Sequence, residues 1–110
     1  MMLPMVDLDE IKAKFRRDEF EYSKHAVDQT LLRRISVQEL REAVATSEVI
    51  EDYSTDKYGP SCLLMGFTTA ARPIHSQVSY PSRPLIKVIT VYQPDPERWI
   101  DHRYRRATDV

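Results

Sequence analysis

The chain has 110 residues, 42% of them hydrophobic and 30% charged, which predicts one ordinary folded domain and excludes a disordered chain. Its 16 Lys+Arg against 17 Asp+Glu leave a net charge of -1, which excludes a generally basic nucleic-acid coat. The one cysteine, Cys62, excludes an intrachain disulfide or a cysteine-based zinc cluster, and the 2 glycines, Gly59 and Gly66, stand too far apart for a nucleotide-binding loop.

Asp7 and Glu10 fit a capping box, and Leu8, Ile11 and Phe15 share one stripe, which predicts a first helix from Asp7 to Arg17. Glu19-Phe20-Glu21-Tyr22 alternates charge and aromatic and reads as a short extended piece. Ser23 is a good N-cap for a second helix running through Arg33. Ala26, Val27, Thr30 and Leu31 are expected to face the core, while His25, Gln29 and Arg33 follow one another at i+4 along a separate stripe. Ser36 with Glu39 opens a third helix that buries Val37, Leu40 and Val44.

The pattern then changes. Val49 to Tyr53, Ser61 to Phe67, Ile74 to Tyr80 and Leu85 to Tyr92 are rich in β-branched and aromatic residues and read as four strands. Leu85 to Val91, apolar on both faces apart from Lys87 and Thr90, is expected inside the sheet. Asp95, Pro96 and Glu97 predict a short C-terminal helix carrying Trp99. Helices followed by strands give an α+β fold, with N-terminal helices packed on a four-stranded, mainly antiparallel sheet. Residues 1–102 form the expected domain and residues 103–110 a flexible basic tail. No apolar run approaches the ~20 residues of a membrane span. The segment from Met1 to Glu10 lacks the basic start and apolar core of a secretion signal. A cytoplasmic protein with a reduced thiol and no membrane contact is therefore expected.

Charge is uneven along the chain. No carboxylate side chain occurs between Asp56 and Asp95, a stretch that holds Lys57, Arg72, Arg83, Lys87 and His75 and covers three of the four strands. Such a sheet would present a positive surface suited to a phosphate-bearing ligand, unless acids from the helices pair with it. Ile74, Val78 and Tyr80 alternate with His75, Gln77 and Ser79, which gives that strand a core face and a polar face.

Ser23-Lys24-His25-Ala26 followed by Arg33-Arg34-Ile35-Ser36 resembles domain-of-unknown-function family 4258, often grouped with RelE- and BrnT-type toxins. The Val49–Tyr53 and Leu64–Phe67 strands, Arg72-Pro73-Ile74-His75 and Ile89–Tyr92 carry the likeness over roughly Tyr22 to Asp95. The resemblance implies a RelE-like sheet flanked by helices, metal-independent ribonuclease activity, RNA as ligand and an antitoxin protein as partner. Two departures accompany it: Gln29 stands where many relatives carry arginine, and the chain is not strongly basic as RelE-type toxins are.

Metal-free RNA cleavage needs a base for the ribose 2′-OH, a cation for the phosphate and an acid for the leaving oxygen. Histidine titrates near working pH and arginine offers a bidentate fork. The candidates are His25 as base or acid, Arg33 as phosphate clamp, His75 as complementary acid and Tyr92 as a positioning or proton-donating hydroxyl. Arg72, Arg83 and Lys87 would hold the RNA backbone. No metal or other cofactor is expected: His25 and Gln29 lack a third ligand, and no nucleophile elbow accompanies the serines. Each candidate also has a structural reading. His25 would bond a backbone carbonyl, Arg33 would pair with Glu51 or Asp52, and Tyr92 would sit in the core with a bonded hydroxyl. His102, at the border of the expected tail, receives no role. The alternative to a nuclease is a non-catalytic binding or interaction module on the same fold.

Overall fold

The computed structural model describes residues 6–107. Residues 1–5, part of the segment examined for a secretion signal, and residues 108–110 of the expected tail lie outside them.

Local signals set the helix ends. Asp7 accepts from the Glu10 backbone N–H at 3.0 Å and opens α1 (Leu8–Arg16), whose buried side chains are Ile11 and Phe15. Ser23 accepts from the Ala26 N–H and opens α2 (Lys24–Arg33), and Arg34, left-handed at φ 54°, closes it. Ser36 and Glu39 satisfy each other's backbone N–H groups at the start of α3 (Val37–Ala45), which buries Leu40, Ala43 and Val44.

The strands are β1 (Phe20–Tyr22), β2 (Glu48–Tyr53), β3 (Ser61–Phe67), β4 (Pro73–Ser79), β5 (Ile86–Tyr92), β6 (Trp99–Ile100) and β7 (Tyr104–Arg105). The four expected strands occur within a residue of their expected ends. The sheet, however, has five strands in the order β1-β5-β4-β3-β2. The extended piece after α1 joins it as an edge strand parallel to β5, and the remaining pairs are antiparallel. The architecture is α+β with a mixed sheet.

One face of the sheet meets the helices. Ile11, Phe15, Leu40 and Val44 pack there on Leu64, Ile74, Val78, Val88 and Val91. Gly66 lets α3 sit close on β3: a Cβ at this position would lie 1.8 Å from the Ala43 carbonyl oxygen. Helix α2 is different. Only Ala26 is buried, while Leu31 and Leu32 are 74% and 80% exposed and Val27 is also exposed; Val37, expected in the buried face of α3, is likewise exposed at the start of that helix. The expected core face of α2 is thus reduced to one residue. The helix runs along the β5 side of the sheet rather than across its face, with Ser23 Oγ donating to the Ile89 carbonyl at one end.

The second face is covered in part by the C-terminus. Asp95 Oδ1 accepts from the Glu97 N–H, and the Asp95 carbonyl accepts from Arg98 and Trp99, so the expected cap is present. The turn nevertheless stops after one cycle, and the expected C-terminal helix is replaced by a hairpin of β6 and β7. Asp101 and His102, at φ 52° and 59°, make its turn. Packing of Trp99 against the sheet overrides the local helix signal. Residues 103–107 of the expected tail include β7, and Arg105 there pairs with Glu51 of β2. No helix among the described residues is long and apolar enough to cross a membrane.

Candidate active site

The polar face of β4 carries His75, which is fully buried. The hairpin buries it: the Trp99 ring stands 4.5 Å from the imidazole at 86°. His75 Nε2 lies 2.5 Å from the His102 carbonyl oxygen, and Nδ1 lies 3.2 Å from the Tyr92 hydroxyl. A carbonyl oxygen can only accept, so Nε2 carries the proton. Nδ1 is then the acceptor, and Tyr92 donates to it. Cross-strand pairing of His75 with Tyr92 in the β4–β5 ladder brings the two together. Burial lowers the His75 pKa, only partly opposed by the bond to His102. Burial likewise raises the Tyr92 hydroxyl. At neutral pH the pair therefore consists of a neutral imidazole and an intact phenol.

Tyr92 also lines a cavity of about 440 Å³. Helix α2 contributes Gln29 and Arg33, β5 contributes Thr90 and Tyr92, and the segment after β5 contributes Gln93, Asp95 and Arg98. The hairpin closes it with Trp99 and Arg105. Arg33 Nε donates to Gln29 Oε1 at 3.0 Å, the i+4 neighbour on its stripe, which leaves the two terminal nitrogens for the cavity. Arg105 forks onto Glu51 at 2.7 and 3.0 Å and lies over the Trp99 ring at 4.7 Å. That pair holds the Glu51 carboxyl below its ordinary range and Arg105 above its own, with Glu51 the largest influence on Arg105. Tyr53, half-buried and bonded to the same carboxylate, is pushed up to about 12. Arg98 forms no side-chain ion pair or hydrogen bond among the described residues. Two guanidinium groups with free donors thus face a polar cavity whose lining holds one carboxylate, Asp95.

The expected site residues divide. Arg33, Tyr92 and His75 come together, His75 from beneath. His25 is exposed and lies two helical turns, about 12 Å of rise, ahead of Arg33. It makes no hydrogen bond to a backbone carbonyl among the described residues and does not line the cavity. Arg33 pairs with neither Glu51 nor Asp52, which are engaged by Arg105 and Tyr80. Arg72 is structural: it bonds Glu39, Gln93 and the carbonyls of Arg33 and Arg34, all at 3.0 Å, and pins the end of α2 to the sheet. Lys87 pairs with Glu21 at 3.3 Å. The sheet's bias toward cations is therefore partly neutralised by the N-terminal half. Arg83 and Lys87 line a separate cavity. Sequence reasoning missed Arg98, Trp99 and Arg105. Trp99 and Ile100 before Asp101-His102, with Tyr104 after them, were the available hairpin signal, obscured by the cap at Asp95.

A family model described as Domain of unknown function (DUF4258) matches residues 22–93. The chain belongs to the DUF4258 family. No curated protein and no solved structure matches it. The DUF4258 match contains Arg33, His75 and Tyr92, whereas Arg98, Trp99 and Arg105 lie beyond it. The cavity of this DUF4258 protein is therefore built partly from the family domain and partly from the hairpin that follows.

Proposed function

We propose that the arginine-lined cavity binds the phosphodiester of RNA and that the protein is a metal-independent endoribonuclease of toxin–antitoxin type. The observation that carries this reading is the convergence of Arg33 and Arg98 on a cavity holding the Tyr92 hydroxyl, with a buried imidazole behind it.

The proton path follows from the donor order. The ribose 2′-OH passes its proton to the Tyr92 oxygen as the Tyr92 proton passes to His75 Nδ1. The 2′-oxygen bonds to phosphorus, the bond from phosphorus to the 5′-oxygen breaks, and water protonates the leaving oxygen. The products are a 2′,3′-cyclic phosphate and a 5′-hydroxyl. Arg33 and Arg98 meet the charge that builds on the phosphoryl oxygens. The His102 carbonyl steadies the imidazolium formed at His75. His75 acts through Tyr92 and touches no substrate. His25, exposed on the stripe leading to Arg33 and outside the cavity, would meet the RNA chain rather than the reacting phosphate. An antitoxin is the protein partner of such a nuclease, and Leu31 and Leu32 offer it an apolar surface.

Cleavage of single-stranded RNA in excess chelator tests the reading. The expected outcome is a cyclic-phosphate product, no cutting of a 2′-deoxy substrate, and a loss of roughly 10²–10⁴ in rate for Tyr92→Phe. Absence of cleavage by the folded protein would overturn the enzyme. The full burial of His75, with both nitrogens bonded, favours the second reading, a non-catalytic binding module in which Tyr92, His75 and His102 lock the hairpin to the sheet.

A further inference from the structure

A second cavity, about 380 Å³, adjoins β5 where the strand departs from regular pairing. Gln77 pairs with Thr90 and Val78 with Val88, so Ile89 is an extra residue in β5. Val88 and Val91 are both fully buried in the helix-side core. A bulge of this kind turns two successive side chains to one face. Thr90 accordingly lines the arginine cavity and Ile89 lines the second one. The two cavities are thus consecutive along the β5 surface. From Lys87 in one to Thr90 in the other is about 10 Å of strand, short enough for neighbouring nucleotides of one chain.

The chemistry of the second cavity differs from that of the first. Its exposed lining is mostly apolar, with Ile89, Pro60 and Tyr58, and it includes two cations, Arg83 and Lys87. Tyr58 is 82% exposed on the turn at Gly59, a residue at φ 109° that the turn requires. The Arg83 guanidinium packs close to that glycine, and Lys57 lies over the Tyr58 ring at 5.0 Å. None of the lining residues is a carboxylate, although Lys87 pairs with Glu21 and the nearby Asp56 accepts from the Tyr58 N–H. An exposed aromatic plane with an apolar floor and flanking cations suits a nucleobase and its backbone, because every base has a face to stack.

We propose that this cavity takes a base adjacent to the phosphate bound among the arginines, so that the substrate is an extended single-stranded RNA laid along β5. The proposal rests on the RNA reading of the arginine cavity. A duplex, whose bases are stacked on one another, would leave Tyr58 without a partner.

Fluorescence anisotropy with a 2′-O-methyl octanucleotide, which cannot be cleaved by 2′-OH attack, tests the proposal on the full chain. Tyr58→Ala is expected to weaken octanucleotide binding by roughly tenfold, the scale of one lost stack, and to leave binding of a ribose 3′,5′-bisphosphate lacking a base unchanged. Arg33→Ala is expected to weaken both. A blunt duplex of the same length is expected to bind more weakly than the single strand. Octanucleotide binding unchanged in Tyr58→Ala, or a duplex bound as tightly as the single strand, overturns the second-cavity proposal. The RNA reading of the first cavity survives that result if Arg33→Ala still weakens binding. If the wild-type protein binds none of the probes, both fall. Tyr58 is exposed on a turn, so its removal carries little risk to folding.

Discussion

His75 illustrates how one residue changes meaning with its surroundings. On the strand pattern it belongs to a polar face, yet Trp99 and the His102 carbonyl enclose it completely. In the unfolded chain the imidazole gains a proton as pH falls through about 6.5; in the fold, burial lowers that value. Between the two values the unfolded state binds more protons, so stability declines as pH falls below about 6.5 and levels off below the folded value. Glu39, Glu42 and Glu51 are also held low, by backbone and arginine partners, but their stabilisation is lost only below about 4.5. Urea unfolding between pH 7.5 and 5.0 should therefore show a decline in the wild type that His75→Gln lacks. Equal slopes in the two proteins would mean that His75 is not held neutral. The sequence identified His75 as a candidate because alternation placed it opposite Ile74 and Val78. It could not identify the group that would cover it.

Among the elements, α3 packs closely on β3 at Gly66. The capping box at Ser36 and Glu39 was legible from two residues three apart, and it formed. The role of Gly66 was not legible, because it arises only when the Ala43 carbonyl is brought to the strand. A methyl group there has no room, since the obstacle is backbone on both sides. Gly66→Ala should cost about 3 kcal/mol, read as a lowered urea midpoint with an unchanged slope; a cost below about 1 kcal/mol would show that the helix can lift without penalty. The opposite case is α2. Its cap at Ser23 and its His25–Gln29–Arg33 stripe were readable, but its buried side was not. Leu31 reads as core by periodicity, yet the helix lies along the sheet's β5 side and leaves Leu31 and Leu32 in solvent. Hydrophobic periodicity reports which residues could be buried, and only packing decides which are.

For the molecule as a whole, the C-terminal hairpin is the decisive piece. It joins β2 through Arg103 with Glu48 and Arg105 with Glu51, and it roofs His75 with Trp99. These bonds use acids of the N-terminal half and cations of the C-terminal end, so the charge bias read along the chain is folded back on itself. Exposed pairs of this sort contribute little each, and the buried indole carries more of the hairpin's attachment. Trp99→Ala should therefore cost about 3–5 kcal/mol and should flatten the pH dependence of stability, because water then reaches His75. A Trp99→Ala protein with wild-type stability would show that the hairpin contributes nothing to the fold.

The amino-acid order determined the helix caps, the strands β2 to β5, the alternation of β4 and the helices-then-strands class, because these depend on neighbours a few residues apart. It also placed Arg33, His75 and Tyr92 among the candidates, since their side-chain chemistry travels with their type. The tertiary structure decided the parallel edge strand, the loss of the C-terminal helix and the assembly of the arginine cavity. Those outcomes depend on surfaces more than fifty residues apart in the chain, such as Glu51 with Arg105. No local pattern encodes a distance of that kind; burial of Trp99 and pairing across the sheet do.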